Sequence, residues 1–118
     1  MRRIRSIISD KRRCFLCGST MNLERHHCIH GHGWRPLADK YGLTVFLCAR
    51  CHRDWQNGVH GQNKVADLYL KRVAQRAFEE RYGFSEWMKV FGRNYRPHED
   101  FKDALDEHIR SDKSDEQS

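Results

Sequence analysis

No run of apolar residues approaches the ~18 that a membrane-spanning helix needs. The opening stretch MRRIRSIISDKRRC is basic and lacks the long apolar segment of a secretory signal. Hydrophobic residues are scarce, 38 % of 118, and mean hydropathy is -0.90. The chain therefore has material for one thin core and no second one. Cores this small often borrow stability from a metal or a crosslink. There is no internal repeat. With aromatics at 11 %, the chain is not disordered throughout.

Charge is abundant and unevenly placed. The formal net charge is +6, with 22 Lys and Arg against 16 Asp and Glu. Acidic residues are sparse up to position 97, where the balance is +11, and dense over 98–118, where it is -5. A body this basic points to a polyanionic partner, most simply nucleic acid.

Five cysteines are present. Four form two knuckles, Cys14-x-x-Cys17 and Cys48-x-x-Cys51, and Cys28 is left over. Paired C-x-x-C knuckles without a secretory signal point to metal rather than disulfides. A tetrahedral Zn2+ accepts four thiolates, and the two-residue gap lets each knuckle turn both sulfurs onto one ion. The knuckles stand 30 residues apart, longer than a plain zinc ribbon, so a substantial insertion lies between them. Cys28 reads as a buried small hydrophobe.

Hydrophobic patterning gives the elements. A strand is expected over 23–29, and a loop with two glycines follows at 30–35. A short helix over 36–41 starts at Pro36 and is ended by Gly42. The β-branched and aromatic run 43–47 is a second strand that delivers the second knuckle. A helix from Cys51 carries His52 and Trp55 to about Asn57-Gly58. The longest helix spans 63–82, with Ala66, Leu70, Val73, Ala77 and, at its end, Tyr82 as its apolar stripe. Ser85 caps a further helix through Trp87, Met88 and Phe91. A last amphipathic segment places Phe101, Leu105 and Ile109 at helical spacing on an acidic background. The expected organisation is a basic arm (1–13), a zinc-stapled core (14–62), a helical extension (63–97) and an acidic segment with a polar tail (98–118).

Histidines are unusually frequent, eight in all, and six of them, His26, His27, His30, His32, His52 and His60, lie within 35 positions. His30 and His32 flank glycines and read as solvated loop residues. His26 and His27 on the first strand and His52 on the helix after the second knuckle leave the same small hub.

The order Cys14-x-x-Cys17, Glu24-Arg25-His26-His27, then Leu47-Cys48-x-x-Cys51-His52 resembles the HNH nucleases, over roughly residues 14–60. The stretch FSEWMKVFGRNY is also similar to small HNH proteins of prophages. The resemblance implies a small α+β fold: a ββα-metal motif with a four-cysteine structural zinc site, followed by C-terminal helices. It implies one catalytic divalent cation, Mg2+, Mn2+, Ni2+ or Zn2+. His26 and His52 fall in the slots of its ligands. His60 is a third ligand or a phosphate contact. His27 falls in the general-base slot. The family's middle Asn is replaced by Leu43, or by Thr44 with a one-residue shift, and the ligand of colicin-type relatives one turn past His52 is Gln56.

The chemistry is coherent. Phosphodiester hydrolysis needs an aligned nucleophile and relief of growing negative charge; an imidazole supplies the first and a divalent cation the second. Arg25, Arg35, Arg50 and Arg53 are the expected phosphate contacts. Adjacent strand residues face opposite ways, so His26 and His27 serve one site only if the strand ends or kinks there. The expected function is a metal-dependent DNA endonuclease or nickase in phage or mobile-element DNA processing. The expected location is the cytoplasm of a bacterial or phage-infected cell, with DNA as partner, no membrane, and room for a phage or host protein partner. The alternatives are a catalytically degenerate zinc-stapled nucleic-acid-binding module and a phage-encoded inhibitor protein.

Overall fold

The computed structural model describes residues 5–31 and 33–96. Its elements are β1 (Leu23–His27), α1 (Arg35–Tyr41), β2 (Thr44–Cys48), α2 (Ala49–Arg53), α3 (Lys64–Tyr82) and α4 (Phe84–Phe91). β1 and β2 pair antiparallel, from Leu23 opposite Cys48 to His27 opposite Thr44. This is a small α+β fold. Among the described residues no helix is long and apolar enough to cross a membrane. His32 and the acidic segment with Phe101, Leu105 and Ile109 lie outside the described residues.

β1 stops at His27, two residues earlier than the apolar run suggested, and Cys28 and Ile29 turn into the core. Pro36 stands in the first turn of α1, and Gly42 ends it in the left-handed region, with φ 71°. A side chain at 42 would also collide with the backbone of Arg5 and Ile7. Glycine is thus required twice there, for its conformation and for its lack of bulk. The close approach lets the N-terminal segment dock. The Ile7 amide donates to the Gly42 carbonyl at 2.9 Å, and Ser6 Oγ donates to the Thr44 carbonyl at 2.5 Å. Ile7 and Ile8 pack partly buried on the core.

α2 begins at Ala49, not Cys51, and ends at Arg53, short of Asn57. Asp54 ends it. Its backbone turns extended (ψ 138°), and its carboxylate accepts from the amides of Gln56 and Asn57 at 3.2 and 3.0 Å. That local turn offers the backbone a better partner than another helical turn would.

Asn63 caps α3, its Oδ1 accepting from the Ala66 amide at 3.1 Å. The buried stripe differs in phase from the expected one. Leu70, Ala74 and Phe78 are buried, together with Asp67 and Gln75, while Val73 and Ala77 are half-buried. Phe78 decides the phase. Its ring centroid lies 5.0 Å from that of Tyr41, 5.4 Å from Trp87 and 6.0 Å from Phe91. Fully burying a side chain of this size contributes about 1.5–3 kcal/mol, more than turning an alanine inward would. Gly83, with φ 90°, precedes α4, so Ser85 lies inside that helix instead of capping it.

The polar groups between α3, α4 and the chain that follows them are satisfied. Trp87 Nε1 donates to the Arg93 carbonyl at 2.7 Å. Gln75 accepts from the Tyr95 amide at 2.7 Å and donates to Asn94 Oδ1 at 2.8 Å. The buried Arg96 guanidinium pairs with Glu79 at 3.1 Å. α3 and α4 pack on each other and meet α1 and its start through Phe78 on Tyr41 and Phe91 on Trp34.

Candidate metal centre

Two groups of ligand-type side chains flank the hairpin. The first is thiolate. The sulfurs of Cys14, Cys17, Cys48 and Cys51 all lie within 4.8 Å of one another. Cys14 and Cys17 come from the turn before β1, which closes through Cys14 N–H to the Ser19 carbonyl (2.8 Å) and Gly18 N–H to the Cys14 carbonyl (2.9 Å). Cys48 ends β2, and Cys51 lies in α2. The Cys17 and Cys48 sulfurs are 3.7 Å apart. A tetrahedral zinc about 2.3 Å from each sulfur would separate the sulfurs by about 3.8 Å, so the four residues fit a structural metal ion.

The thiols are electrostatically crowded. Burial and then the three neighbouring thiols push the Cys51 pKa well up. Burial pulls Cys14 the same way, but backbone amides at Cys48, Cys17 and Leu16 outweigh it and bring it down to about 7. A cation relieves that crowding. Cys28 stands apart from this group. It is fully buried and its thiol is pushed far up by burial, which makes it an inert core residue.

The second group is imidazole. Ligand-capable atoms of His26, His52 and His60 lie within 4.8 Å of one another, and so do those of His26, His30 and Asp67. His26 is at the centre. Its ring centroid is 5.7 Å from His30 and 5.1 Å from each of His52 and His60. His60 lies 4.9 Å from His30 and 4.8 Å from His52.

Local structure explains the gathering. His52 rides on α2, and the chain after α2 folds straight back. Val59 N–H donates to the Cys51 carbonyl at 2.9 Å and His60 N–H to the His52 carbonyl at 3.0 Å. A side chain at Gly61 would strike the backbone of Asp54 and Trp55, so the fold-back depends on that glycine.

His26 is 1 % exposed, and neither ring nitrogen has a hydrogen-bond partner. Buried polar atoms are rarely left so. Burial first, and then the surrounding His52, His60 and His30 rings, hold its pKa down to about 3. Partial burial and the His30 and His52 rings hold that of His60 down to about 4. Both rings are thus neutral near pH 7, with nitrogen lone pairs free to bind a cation. His52 Nδ1 meets Glu24 Oε1 at 2.7 Å. The hydrogen bond to His52 and then that to Arg53 hold the Glu24 carboxyl below its usual range against the opposing effect of burial. An ionised carboxylate only accepts, so Nδ1 carries the proton and Nε2 is the available atom.

His27 stands elsewhere. It remains within β1, so it faces away from His26, and its Nε2 donates to Asp39 Oδ1 at 3.1 Å. Arg25, two residues back on the same face, pairs with the same oxygen at 2.8 Å. The structure thus brings His26, His52 and His60 together and leaves His27 across the hairpin. Arg25 and Arg53 are engaged by Asp39 and Glu24. Arg35 and Arg50 are exposed and make no ion pair with a carboxylate among the described residues.

Sequence reasoning missed His30, Asp67 and Glu24. Glu24 shares its strand face with His26 at a spacing of two. Asp67 stands three positions before Leu70, and a charge on a buried stripe was its signal. His30, read as solvated, is half-buried beside Asp67.

Comparison with protein-family models, curated proteins and solved structures finds no match.

Proposed function

We propose that this chain is a metal-dependent endonuclease of the HNH ββα-metal kind, acting on DNA, with a zinc on its four clustered cysteines as the staple. The observation that carries the reading is His26: a buried imidazole, unpartnered at both nitrogens, ringed by three others at a hairpin–helix junction beside those thiols. Apolar residues would fill that volume at lower cost. Nitrogen donors left unpaired in this way suit a cation.

His26, His52 and His60 would hold the divalent ion, which when bound supplies Lewis acidity toward a phosphodiester oxygen. The chain's own residues do the rest. Glu24 sets the tautomer of His52 and keeps Nε2 toward the cluster. Arg35 and Arg50, exposed and in no close ion pair with a carboxylate among the described residues, bind flanking phosphates. Arg35 is close enough to His60 to act on its field. Asp39 orients His27, and the base role that the motif order assigns to His27 belongs to this proposal. Because His27 faces away from His26, a second reading also has support: a zinc-stapled nucleic-acid-binding module without catalysis.

Supercoiled plasmid separates the two. Zinc-loaded protein supplied with Mg2+, Mn2+ or Ni2+ should nick it. His52→Ala and His27→Ala should abolish nicking while the fold and DNA retention on a gel persist. Intact plasmid across all three cations, from folded protein that still retards DNA, refutes the nuclease and leaves the binding module. No retardation at low salt refutes both.

A further inference from the structure

α3 has a second apolar face that the core does not use. Leu70, Ala74 and Phe78 form its buried side. Val65, Leu68, Tyr69 and Val73 recur at helical spacing on another side. Together with Arg72 and Arg76 they line an open groove of about 390 Å3. Val65 is 82 % exposed, Tyr69 50 % and Leu68 38 %. Apolar side chains exposed singly are ordinary, but several lining one groove mark a contact surface. The groove is also basic. Arg76 is exposed and in no close ion pair with a carboxylate among the described residues.

An occupant of this groove needs apolar side chains at matching spacing and negative charge around them. The chain carries such a segment itself. Phe101, Leu105 and Ile109, outside the described residues, stand at i, i+4 and i+8 in sequence, interspersed with Glu99, Asp100, Asp103, Asp106 and Glu107. Residues 98–118 hold eight acidic and three basic residues, a sign opposite to that of Arg72 and Arg76. The lengths agree. At 1.5 Å per residue, the groove from Val65 to Arg76 covers about 17 Å of helix, and eight residues from Phe101 to Ile109 cover about 12 Å.

The segment also starts in the right place. Arg72 Nε donates to the Tyr95 carbonyl at 2.8 Å, so a groove-lining residue holds the backbone one residue before the described chain ends at Arg96. Residues 97–100 span up to about 13 Å. Along α3 the groove extends about 11 Å from Arg72 to Val65 and about 6 Å from Arg72 to Arg76, so either end is within reach. A tether this short holds the segment at an effective concentration on the order of millimolar, which a separate partner or a second copy of the chain must exceed.

We propose that residues 98–118 dock on α3 of their own chain, with Phe101, Leu105 and Ile109 against Val65, Leu68, Tyr69 and Val73, and with the acidic residues toward Arg72 and Arg76. This is recognition of an amphipathic segment by an apolar groove, with charge at its rim fixing the orientation. It is independent of the metal centre and of the cleavage reaction. One side of α3 builds the core, and the other receives the end of the chain.

Amide hydrogen exchange in the full-length, zinc-loaded protein tests this, read by mass spectrometry over peptides covering 101–109. Exchange there should be slower than in the free synthetic segment by on the order of tenfold. Leu68→Glu should restore the free rate, and Arg76→Glu should recover part of it, while the slow exchange around Leu70 and Phe78 stays as it is. Val65→Glu replaces Leu68→Glu if that variant does not give a cooperative melt. Exchange at the free rate over 101–109 in wild type overturns the proposal. Slowing that survives Leu68→Glu or Arg76→Glu in folded protein also overturns it, because the segment then lies elsewhere. Slowing that disappears on dilution, with a dimer mass at the higher concentration, overturns it in favour of a second copy of the chain as the occupant.

Discussion

In protein that carries zinc on its thiolates and no second cation, His26→Leu should raise stability rather than lower it. The wild-type ring is 1 % exposed and leaves two nitrogens unpaired. Each buried, unsatisfied polar group costs about 1–3 kcal/mol. Leucine has a similar bulk and no polar atom, so the exchange removes that cost and retains the contacts with the neighbouring side chains. Imperfect fit of a branched side chain returns up to about 1.5 kcal/mol. The net expectation is a gain on the order of 2 kcal/mol. Added Ni2+ should reverse the order. Wild type gains RT ln(1 + [L]/Kd), about 2.7 kcal/mol at a hundred times Kd, and the variant gains nothing. Urea unfolding followed by far-UV circular dichroism, with one equivalent of zinc and with or without Ni2+, measures both differences. A variant less stable than wild type without Ni2+ would mean that the ring nitrogens are already satisfied. An equal Ni2+ gain in the two proteins would mean that His26 holds no ion. Either result refutes the reasoning.

Two further outcomes follow from the same geometry. Cys48→Ser should reduce bound zinc at the thiolate site and abolish the cooperative unfolding transition, because metal-ligand energy is folding energy in a core this thin; a cooperative melt with unchanged stability after complete zinc loss contradicts it. The second concerns pH. Because the pKa of His26 is lowered in the fold to about 3, the unfolded chain takes the proton first as pH falls. Stability is then full above about 6.5 and declines toward pH 3, by up to about 1.4 kcal/mol per pH unit from this residue. The difference between wild type and His26→Leu, both without a second cation, isolates the slope; a flat difference between about pH 6.5 and about pH 4 would show that the ring is not held neutral.

Much of the molecule was legible in its residues. The C-x-x-C spacing announced a four-thiolate group because two-residue gaps leave few other uses for paired cysteines, and the four sulfurs do cluster. Pro36, Gly42, Asn63 and the β-branched run before Cys48 marked element ends, because capping and left-handed turns are decided within a few residues. Periodicity also foretold that His26 and His27 would part company unless the strand broke between them.

Other features depended on contacts between distant parts of the chain. α3 has several hydrophobic positions at helical spacing, and its pattern alone allowed Val73 and Ala77 as the inner face; packing of Phe78 against Tyr41, Trp87 and Phe91 turned Ala74 inward instead. The same rotation carried Asp67 to His30, across 37 residues of chain. Local physics sets where a backbone turns and which residues alternate. Which imidazole lies buried without a partner, and which carboxylate stands behind its neighbour, follows from how the elements pack together, since burial and hydrogen-bond partners belong to the assembled structure and to no single segment.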